Sequence, residues 1–285
     1  MLTMPQITAR YLSQAVLNFT GQAVLNACDE LDGVKDGLIE DPQRCHFDID
    51  SLACNGTSAA THGLVTCLTQ AQLSAAKAIY QGPVRSDNGN QLYPGFSFGS
   101  DSEWLYQEAL LADAFSIPIL QNLVYDDMGY NASTFNWASD VATLDAKAGR
   151  HIDEISPDLS AFRKNGGKLL VSQGWSDPLN TAIWPIQQME QIQDFFRGGV
   201  SDFVELFMVP GGGHCGAASN YPSVPATYHT VPALVDWVEK GVVPLEILST
   251  DPPDGSERTR KLCAWPATAR YVQGDVDDWT SYVCE

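Results

Sequence analysis

The 285-residue sequence predicts an α/β fold for the C-terminal part of the chain. Two short apolar runs, at 168–172 and 203–209, have the length and composition of buried strands. Each run is followed by a helical pattern, at about 181–196 and 232–240. The order strand, helix, strand, helix is typical of parallel strands joined by right-handed crossovers. Two strands are too few for a stable doubly wound sheet, so further strands are expected from elsewhere.

The N-terminal part is predicted to consist of helices and ordered loops. Apolar residues recur at helical spacing within 5–25, which predicts a helix or a pair of helices. A second helix is predicted over 69–80 with Thr69 as its N-cap, and a third from about 101 to 111. The intervening residues 82–100 are rich in Gly, Pro and Asn, which predicts a loop.

The character of the sequence changes near Pro157, where the alternation of strands and helices begins. The length is sufficient for two domains of ordinary size. We therefore predict one domain over 1–155 and a second over 156–285.

Composition and charge exclude several classes of protein. The hydrophobic fraction is 44%, which is ample for a packed core and excludes a disordered chain. The net charge of −19 argues against nucleic acid or an anionic membrane as a partner. No apolar run reaches about 18 residues, so no membrane-spanning helix is predicted.

The cysteines indicate disulfide bonds. No two of them are separated by only two residues, so their spacing fits neither a zinc ribbon nor a redox pair. Disulfides imply an oxidising compartment, and therefore a secreted, extracellular protein. Three glycosylation sequons agree with this, and they begin at Asn18, Asn55 and Asn131.

Two features of the sequence lead to a further expectation. The count of seven cysteines leaves one without a partner in the chain. Residues 1–10 also lack the charged start and apolar segment of a signal peptide. Both features are explained if additional residues precede this sequence.

An acidic loop follows the first predicted helix. Asp29, Asp32 and Asp36 lie close together, and Gly33 and Gly37 allow the backbone to turn tightly between them. Ca²⁺ takes six to eight oxygen ligands from carboxylates, carbonyls and water, so the loop predicts a calcium site. It is not an EF-hand, because the closing glutamate is absent. The alternative is a solvated acidic turn, since Asp-Gly is a common turn dipeptide.

Each predicted strand of the C-terminal part ends in a loop that carries a titratable residue. Asp177 follows the first strand in Gly-Trp-Ser-Asp-Pro, and His214 follows the second in Pro-Gly-Gly-Gly-His-Cys-Gly. In open α/β sheets, functional groups gather at the carboxyl ends of strands. The order matches the acid and base of a hydrolase triad, in which Asp177 orients His214 as general base. Alternatively, Asp177 is a helix cap and His214 a polar loop residue.

Ser97 is a formal candidate for the nucleophile, since it lies in Gly-Phe-Ser-Phe-Gly before Asp177 and His214. A nucleophile elbow requires an apolar strand before the serine and a helix directly after it. The residues before Ser97 contain no strand-like run, so we reject this candidate.

Three motifs together resemble the tannase and feruloyl esterase family. They are C-D-x-x-D-G-V-x-D-G-x-I-x-x-P-x-x-C from Cys28 to Cys45, then G-W-S-D-P, then P-G-G-G-H-C-G. The resemblance implies the C-terminal part of an α/β-hydrolase sheet with a large, disulfide-rich, calcium-binding lid domain, which would occupy 1–155. It implies structural Ca²⁺ held by the side chains of three aspartates and by two carbonyl groups, at Asp29, Asp32, Asp36, Val34 and Leu38. Asp177 and His214 match the catalytic acid and base of the family.

The resemblance also implies a disulfide pattern and a missing part. The implied pairs are Cys28–Cys45, Cys54–Cys67 and Cys263–Cys284. Cys215 matches a cysteine that, in the family, pairs with one just before the nucleophilic serine. No residue here matches that Cys-Ser elbow, so the nucleophile is expected upstream, in a missing N-terminal segment or chain joined through Cys215.

The resulting hypothesis is a secreted serine carboxylic-ester hydrolase that acts on small aromatic esters, such as feruloyl or galloyl esters. This chain alone is expected to be inactive. Four aromatic residues are candidates for the lid lining or the lid core: Tyr93, Phe96, Phe98 and Trp104. The alternative from another class is a calcium-stabilised secreted binding module without catalysis.

Overall fold

The computed structural model describes residues 9–55, 60–61, 64–107 and 111–285. The chain divides into two compact units. The first lies within Met1–Phe19, Ile49–Phe96 and Trp104–Ile155, and the second is formed by Thr20–Asp48, Ser97–Glu103 and Ser156–Glu285. One boundary between the units lies between Ile155 and Ser156. Two segments from the N-terminal half, including the acidic loop, nevertheless belong to the second unit.

The described residues of the first unit are mainly helical. The helices are α1 (Gln14–Cys28, which also contributes to the second unit), α2 (Gln70–Gln81), α3 (Ser139–Leu144) and α4 (Arg150–Ile152), with a small hairpin of β1 (Ala60–Thr61) and β2 (Leu64–Val65). Thr69 and Gln72 form a capping box at the start of α2, which confirms the predicted helix and its cap.

Two other helical predictions are met in part. The helix predicted over 5–25 is observed as α1, although residues 1–8 lie outside the described residues. The helix predicted from 101 to 111 is a 3₁₀ helix over Asp101–Gln107, and residues 108–110 lie outside the described part.

The second unit contains the predicted α/β element. Strands β3 (Leu169–Gly174) and β4 (Val204–Val209) pair in parallel, with Leu169 opposite Val204. Three helices accompany them: α5 (Ser160–Lys164), α6 (Ile183–Phe196) and α7 (Thr230–Lys240). Since α6 joins β3 to β4, the crossover predicted from the sequence is confirmed.

Antiparallel strands complete the second unit, and the sequence patterns did not predict them. They are β5 (Gly212–Gly213), β6 (Gly216–Ala217), β7 (Thr227–Tyr228), β8 (Glu246–Thr250), β9 (Arg260–Cys263), β10 (Ala269–Tyr271) and β11 (Tyr282–Cys284). Strands β7, β8 and β9 form one sheet, while β5–β6 and β10–β11 are separate pairs.

Apolar packing on both sides of β4 holds the second unit together. One cluster contains Ile186 and Met189 of α6 together with Leu206. The other places Phe207 against Ile247 of β8 and Leu262 of β9. Because alternate residues of a strand point to opposite faces, the continuous apolar run of β4 is buried from both sides.

The structure confirms the implied disulfide pairs. Cys28 is bonded to Cys45, Cys54 to Cys67, and Cys263 to Cys284. Cys215 is a free, exposed cysteine. None of the helices that the structure describes has both the length and the apolar character to cross a membrane.

Candidate active site

Asp177 lies in a sharp loop directly after β3 and is almost fully buried, with 3% of its surface exposed. Its Oδ1 accepts hydrogen bonds from the backbone N–H groups of Leu179, at 2.7 Å, and Asn180, at 3.1 Å. Its Oδ2 lies 2.9 Å from Nδ1 of His214. Asp177 is therefore not a helix cap, since α6 begins only at Ile183; one of its oxygens closes a turn and the other faces the histidine.

His214 lies at the tip of a tight hairpin. Gly213 of β5 pairs with Gly216 of β6, so His214 and Cys215 form its two-residue turn. Cys215, the second residue of the turn, has a φ of +59°, which is uncommon for a residue other than glycine. With Nδ1–H donating to the carboxylate of Asp177, Nε2 is left as the acceptor on the other side of the ring. The hairpin thus presents a partly exposed base oriented by a buried acid.

Backbone contacts hold the two loops together. The N–H of Trp175 donates to the carbonyl of Val209 at 2.9 Å, and that of Ser176 donates to Gly212 at 2.8 Å. A Cβ at Gly174 would lie 2.2 Å from the Gly212 carbonyl oxygen, so only glycine allows this approach. The glycines of both motifs therefore bring the ends of β3 and β4 close enough for Asp177 to reach His214.

Gln173 is a member of the site that sequence reasoning missed. Its Nε2 donates to Asp177 Oδ2 at 3.0 Å, the same oxygen that faces His214. A glutamine near the end of a strand has no distinctive signal. Only its place four residues before Asp177, at the end of β3, was available as a hint.

Ser97 does not lie in a nucleophile elbow. Residues 94–97 have no regular secondary structure, and a turn and a 3₁₀ helix follow them. Ser97 is also absent from the described residues with positive φ. Its Oγ is buried and makes no hydrogen bond among the described residues, so it is not bonded to His214. This environment supports the rejection of Ser97.

The acidic loop is folded around its own backbone. Asp29 Oδ1 accepts from the N–H groups of Asp36, at 3.0 Å, and Gly37, at 3.1 Å. Gly33 and Gly37 have φ values of +93° and +84°, in the left-handed region that favours glycine. The two glycines thus serve the tight turns expected from the sequence.

Two arginines from the C-terminal part face the acidic loop. Arg258 Nη2 lies 2.5 Å from Asp36 Oδ2, and Arg260 pairs with the same oxygen. Arg260 also pairs with Glu40 at 2.9 Å. Burial raises the pKa of Asp32 to about 6 and that of Glu40 to about 7, although Arg260 acts in the opposite direction on both.

The donor set of this loop was tested for its fit to Ca²⁺. Asp32 Oδ2 is buried and makes no hydrogen bond among the described residues, while Nη2 of Arg260 lies 3.6 Å from it as an ion-pair partner. Carboxylate and carbonyl oxygens are the ligands that Ca²⁺ prefers. Among the described residues, however, no group of three or more His, Cys, Asp or Glu side chains is arranged around a metal position. The oxygen donors are of the kind that calcium prefers, but in this structure Asp36 is paired with two guanidinium groups and the carboxylates that the structure describes are not gathered around one position.

The other singled-out residues have clear local environments. Trp104 is buried and packs edge-on against Tyr80, with ring centroids 4.9 Å apart, so it is a core residue of its unit. Phe98 packs against Phe47 at 6.0 Å in the other unit. The three sequon asparagines, Asn18, Asn55 and Asn131, are exposed. The second sequon continues through residues 56–57, which lie outside the described part of the chain.

Comparison with known proteins gives one family. The family model for tannase and feruloyl esterase matches residues 2–285. An uncharacterised esterase of Xanthomonas campestris pv. campestris is 31% identical over 97% of this chain and 55% of its own length. A probable feruloyl esterase B-1 of Aspergillus terreus is 30% identical over 90% of this chain and 51% of its own. The chain spans about half the length of the curated relatives it matches.

Solved structures agree with this family. The crystal structure of feruloyl esterase B from Aspergillus oryzae superposes with a TM-score of 0.86 and 26% identity, and it covers 100% of this chain and 59% of that one. Tannin acyl hydrolase from Aspergillus niger superposes with a TM-score of 0.74 over 98% of this chain and 55% of its own, and at 20% identity it shows the fold alone. The fold is therefore consistent with the α/β-hydrolase type.

Proposed function

The chain belongs to the tannase and feruloyl esterase family, and on this basis we propose that it carries the acid and base of a serine carboxylic-ester hydrolase acting on phenolic esters. The observation that carries the proposal is the 2.9 Å contact between His214 Nδ1 and Asp177 Oδ2, made at the ends of two parallel strands. The family description and the names of the relatives support a phenolic ester, such as a feruloyl ester or a tannin ester, as the substrate class.

In the proposed reaction, a serine hydroxyl attacks the ester carbonyl while His214 Nε2 takes its proton. Asp177 holds the imidazole in the tautomer with Nδ1–H and stabilises the imidazolium that forms. His214 then protonates the leaving alcohol, and an acyl-enzyme remains. Water activated by the same Nε2 attacks the acyl group, and the aromatic acid is released.

The nucleophile in this proposal is not Ser97. The lack of an elbow around Ser97 supports a serine outside the present sequence, carried by a segment that would pair with Cys215. The exposed position of Cys215, next to His214, is compatible with such a bond. This chain without its nucleophile would be inactive.

Two further properties belong to the proposal. Secretion is supported by the three disulfides, which persist in oxidising compartments. Structural Ca²⁺ is supported by the oxygen donors of the loop at 29–38, in which the buried Oδ2 of Asp32 makes no hydrogen bond among the described residues. When bound, the ion would cross-link this loop, whereas His214, oriented by Asp177, carries the proton transfers.

The proposal is tested in a preparation that hydrolyses a ferulate ester. Asp177→Asn is expected to lower kcat by on the order of 10³- to 10⁴-fold, because the amide no longer fixes the productive tautomer of His214. His214→Gln should be at least as damaging. Ser97→Ala should leave turnover unchanged.

The matched control is His229→Gln, since His229 bonds to Thr250 rather than to Asp177 and its loss should not affect turnover. Turnover that survives in His214→Gln, or is abolished in Ser97→Ala, would contradict the assignment. Absence of esterase activity together with retained binding of an aromatic ester would favour the alternative of a non-catalytic binding module.

A further inference from the structure

The sequence Gly-Phe-Ser-Phe-Gly around Ser97 ends at Gly99, and the carbonyl group of Gly99 contacts both loops of the site. The carbonyl oxygen of Gly99 accepts a hydrogen bond from Ser176 Oγ at 3.2 Å and another from the hydroxyl of Tyr221 at 2.7 Å. Ser176 directly precedes Asp177, and Tyr221 follows the hairpin that carries His214. One backbone oxygen therefore connects the acid loop with the base loop.

Glu103 makes the second connection. It is 1% exposed, and its Oε1 accepts from the backbone N–H and the side-chain Nδ2 of Asn220, both at 2.7 Å. Its Oε2 accepts from the N–H of Ser219 at 3.2 Å. Hydrogen bonds to an ionised carboxylate are about twice as strong as neutral ones. Glu103 thus fixes the backbone that leaves the His214 hairpin.

The hairpin needs such support because its own pairing is short. It is formed by only two residues on each strand, and at its base the N–H of Ala218 reaches the carbonyl of Gly211 at 3.3 Å. An isolated two-stranded hairpin is marginally stable at best. The direction of the His214 side chain therefore depends on what holds the chain after β6.

The conformation at Gly99 is specific to glycine. Its φ is +86°, and a Cβ there would lie 3.1 Å from Ile39 Cδ1. The buried side chain of Asp101 accepts the Gly99 N–H at 3.1 Å. The carbonyl of Gly99 is thus held in one direction by its own segment before it meets the two loops.

We propose that the segment 97–103 is a positioning element for the Asp177–His214 pair, and that Glu103 is a positioning residue that fixes the direction of His214. The glycine-rich sequence around Ser97 then contributes a carbonyl acceptor, while the hydroxyl of Ser97 has no chemical role. The catalytic consequence rests on the proposed function, whereas the geometric consequence does not.

The geometry is tested by NMR on the chain labelled with ¹⁵N-histidine, in which His214→Gln assigns the resonance of interest among five histidines. A proton held between Nδ1 and a buried carboxylate is expected to give a low-field resonance that exchanges slowly with water. Glu103→Gln should accelerate that exchange, and Glu103→Ala should abolish the resonance. Amide exchange at Ser219 and Asn220 shows whether the contact itself has been broken.

The matched control is Glu205→Gln, which makes the same chemical change at a carboxyl that is equally buried, at 2% exposure, near the start of β4. It should leave the His214 resonance unchanged. Glu103→Gln is decisive even if Glu103→Ala does not fold. The proposal is overturned if the His214 proton keeps its wild-type exchange rate in Glu103→Gln while Ser219 and Asn220 lose protection, or if the wild-type chain lacks the resonance.

Kinetics separates this proposal from the proposed function. In a preparation that hydrolyses a ferulate ester, Glu103→Gln should lower kcat by roughly 10- to 100-fold, because His214 is then misplaced as a base. The KM should change little. If the Glu103 variants lose the His214 resonance while no preparation, the wild type included, hydrolyses the ester, the positioning role is supported and the esterase proposal is rejected. A wild-type kcat in Glu103→Gln would overturn the positioning role.

Discussion

At the scale of single residues, Asp177 shows how one carboxylate serves two purposes. Oδ1 closes the turn after β3 through two backbone N–H groups, while Oδ2 receives Gln173 and His214. A turn-forming aspartate is common in proteins, so the turn alone carries no functional information. The second oxygen makes the residue a candidate acid, because it is buried and faces an imidazole.

Glu205 is a buried carboxyl that the proposed chemistry does not use. Burial raises its pKa above the ordinary value of 4.5, and its Oε1 has no hydrogen-bond partner among the described residues. In the window between the ordinary and the raised pKa, the folded state binds more protons than the unfolded state. The free energy of unfolding should therefore fall as pH rises through that window and level off above it.

Because ionisation of Glu205 destabilises the folded state as pH rises, replacing it with an uncharged glutamine should change the stability in a predictable way. The variant should be more stable than the wild type at pH 7. The difference should shrink as pH is lowered through 4.5, because below that value both states carry a protonated Glu205. Urea unfolding at several pH values measures this. As a control, Asp254→Asn alters an exposed carboxyl whose pKa is lowered by hydrogen bonds to Ser256, so its effect should run in the opposite direction. Equal stability of Glu205→Gln and wild type at every pH would contradict the prediction.

At the scale of elements, the site depends on how closely the end of β3 approaches the hairpin after β4. Gly174 meets the backbone of Gly212 with no room for a side chain. The same contact places the N–H of Ser176 against the Gly212 carbonyl. The glycines thus set the distance between the two strand ends, and the acid and base reach each other as a consequence.

Gly174→Ala is expected to separate the two loops. Its methyl group would collide with backbone atoms, which cannot move aside as a flexible side chain can, and the cost should be about 2–3 kcal/mol of unfolding free energy. Urea unfolding measures it, and the low-field His214 resonance should be lost as well. Gly199→Ala is the control, because a Cβ there meets no atom within 4 Å, and its effect should stay within about 0.5 kcal/mol. Wild-type stability in Gly174→Ala would show that the strand ends do not need this approach.

At the scale of the whole chain, a buried ionic network joins residues that are more than 200 positions apart. Arg260 of β9 pairs with Asp36 and Glu40, and Glu40 also accepts the N–H of Ala269 in β10 at 2.8 Å. Such charges are costly to bury unless each is paired, so removal of one partner is strongly destabilising. The network therefore anchors the acidic loop to the C-terminal strands.

Chelation of Ca²⁺ is the test of the metal proposal at this scale. If the ion binds the loop at 29–38, EDTA should lower the Tm by more than about 5 °C, and Ca²⁺ but not Mg²⁺ should restore it. Asp32→Asn should weaken this response, because it removes the charge of a buried carboxylate among the predicted ligands. Asp48→Asn, an exposed position beyond the loop, is the control and should respond as the wild type does. An unchanged Tm in EDTA would show that Arg258 and Arg260 alone balance the charge of the loop.

The sequence alone predicted those parts of the molecule that depend on local pattern. The apolar runs of β3 and β4 and the helix between them follow from periodicity, and α2 follows from its apolar spacing and its cap. Asp177 and His214 were placed together because parallel strands bring their carboxyl ends to one edge of a sheet. The three disulfide pairs followed from the family resemblance rather than from local pattern.

Only the tertiary structure decided the contacts that support the site. Gly99 and Glu103 lie more than 70 residues before Asp177, and Arg260 lies far beyond it, so no periodicity links them to the residues they touch. The 3₁₀ helix at Asp101–Gln107 and the short hairpin around His214 are likewise stabilised by what packs against them. Sequence pattern records which face of an element is apolar, whereas the pairing of buried polar groups depends on which distant segments meet, and only the folded chain determines that.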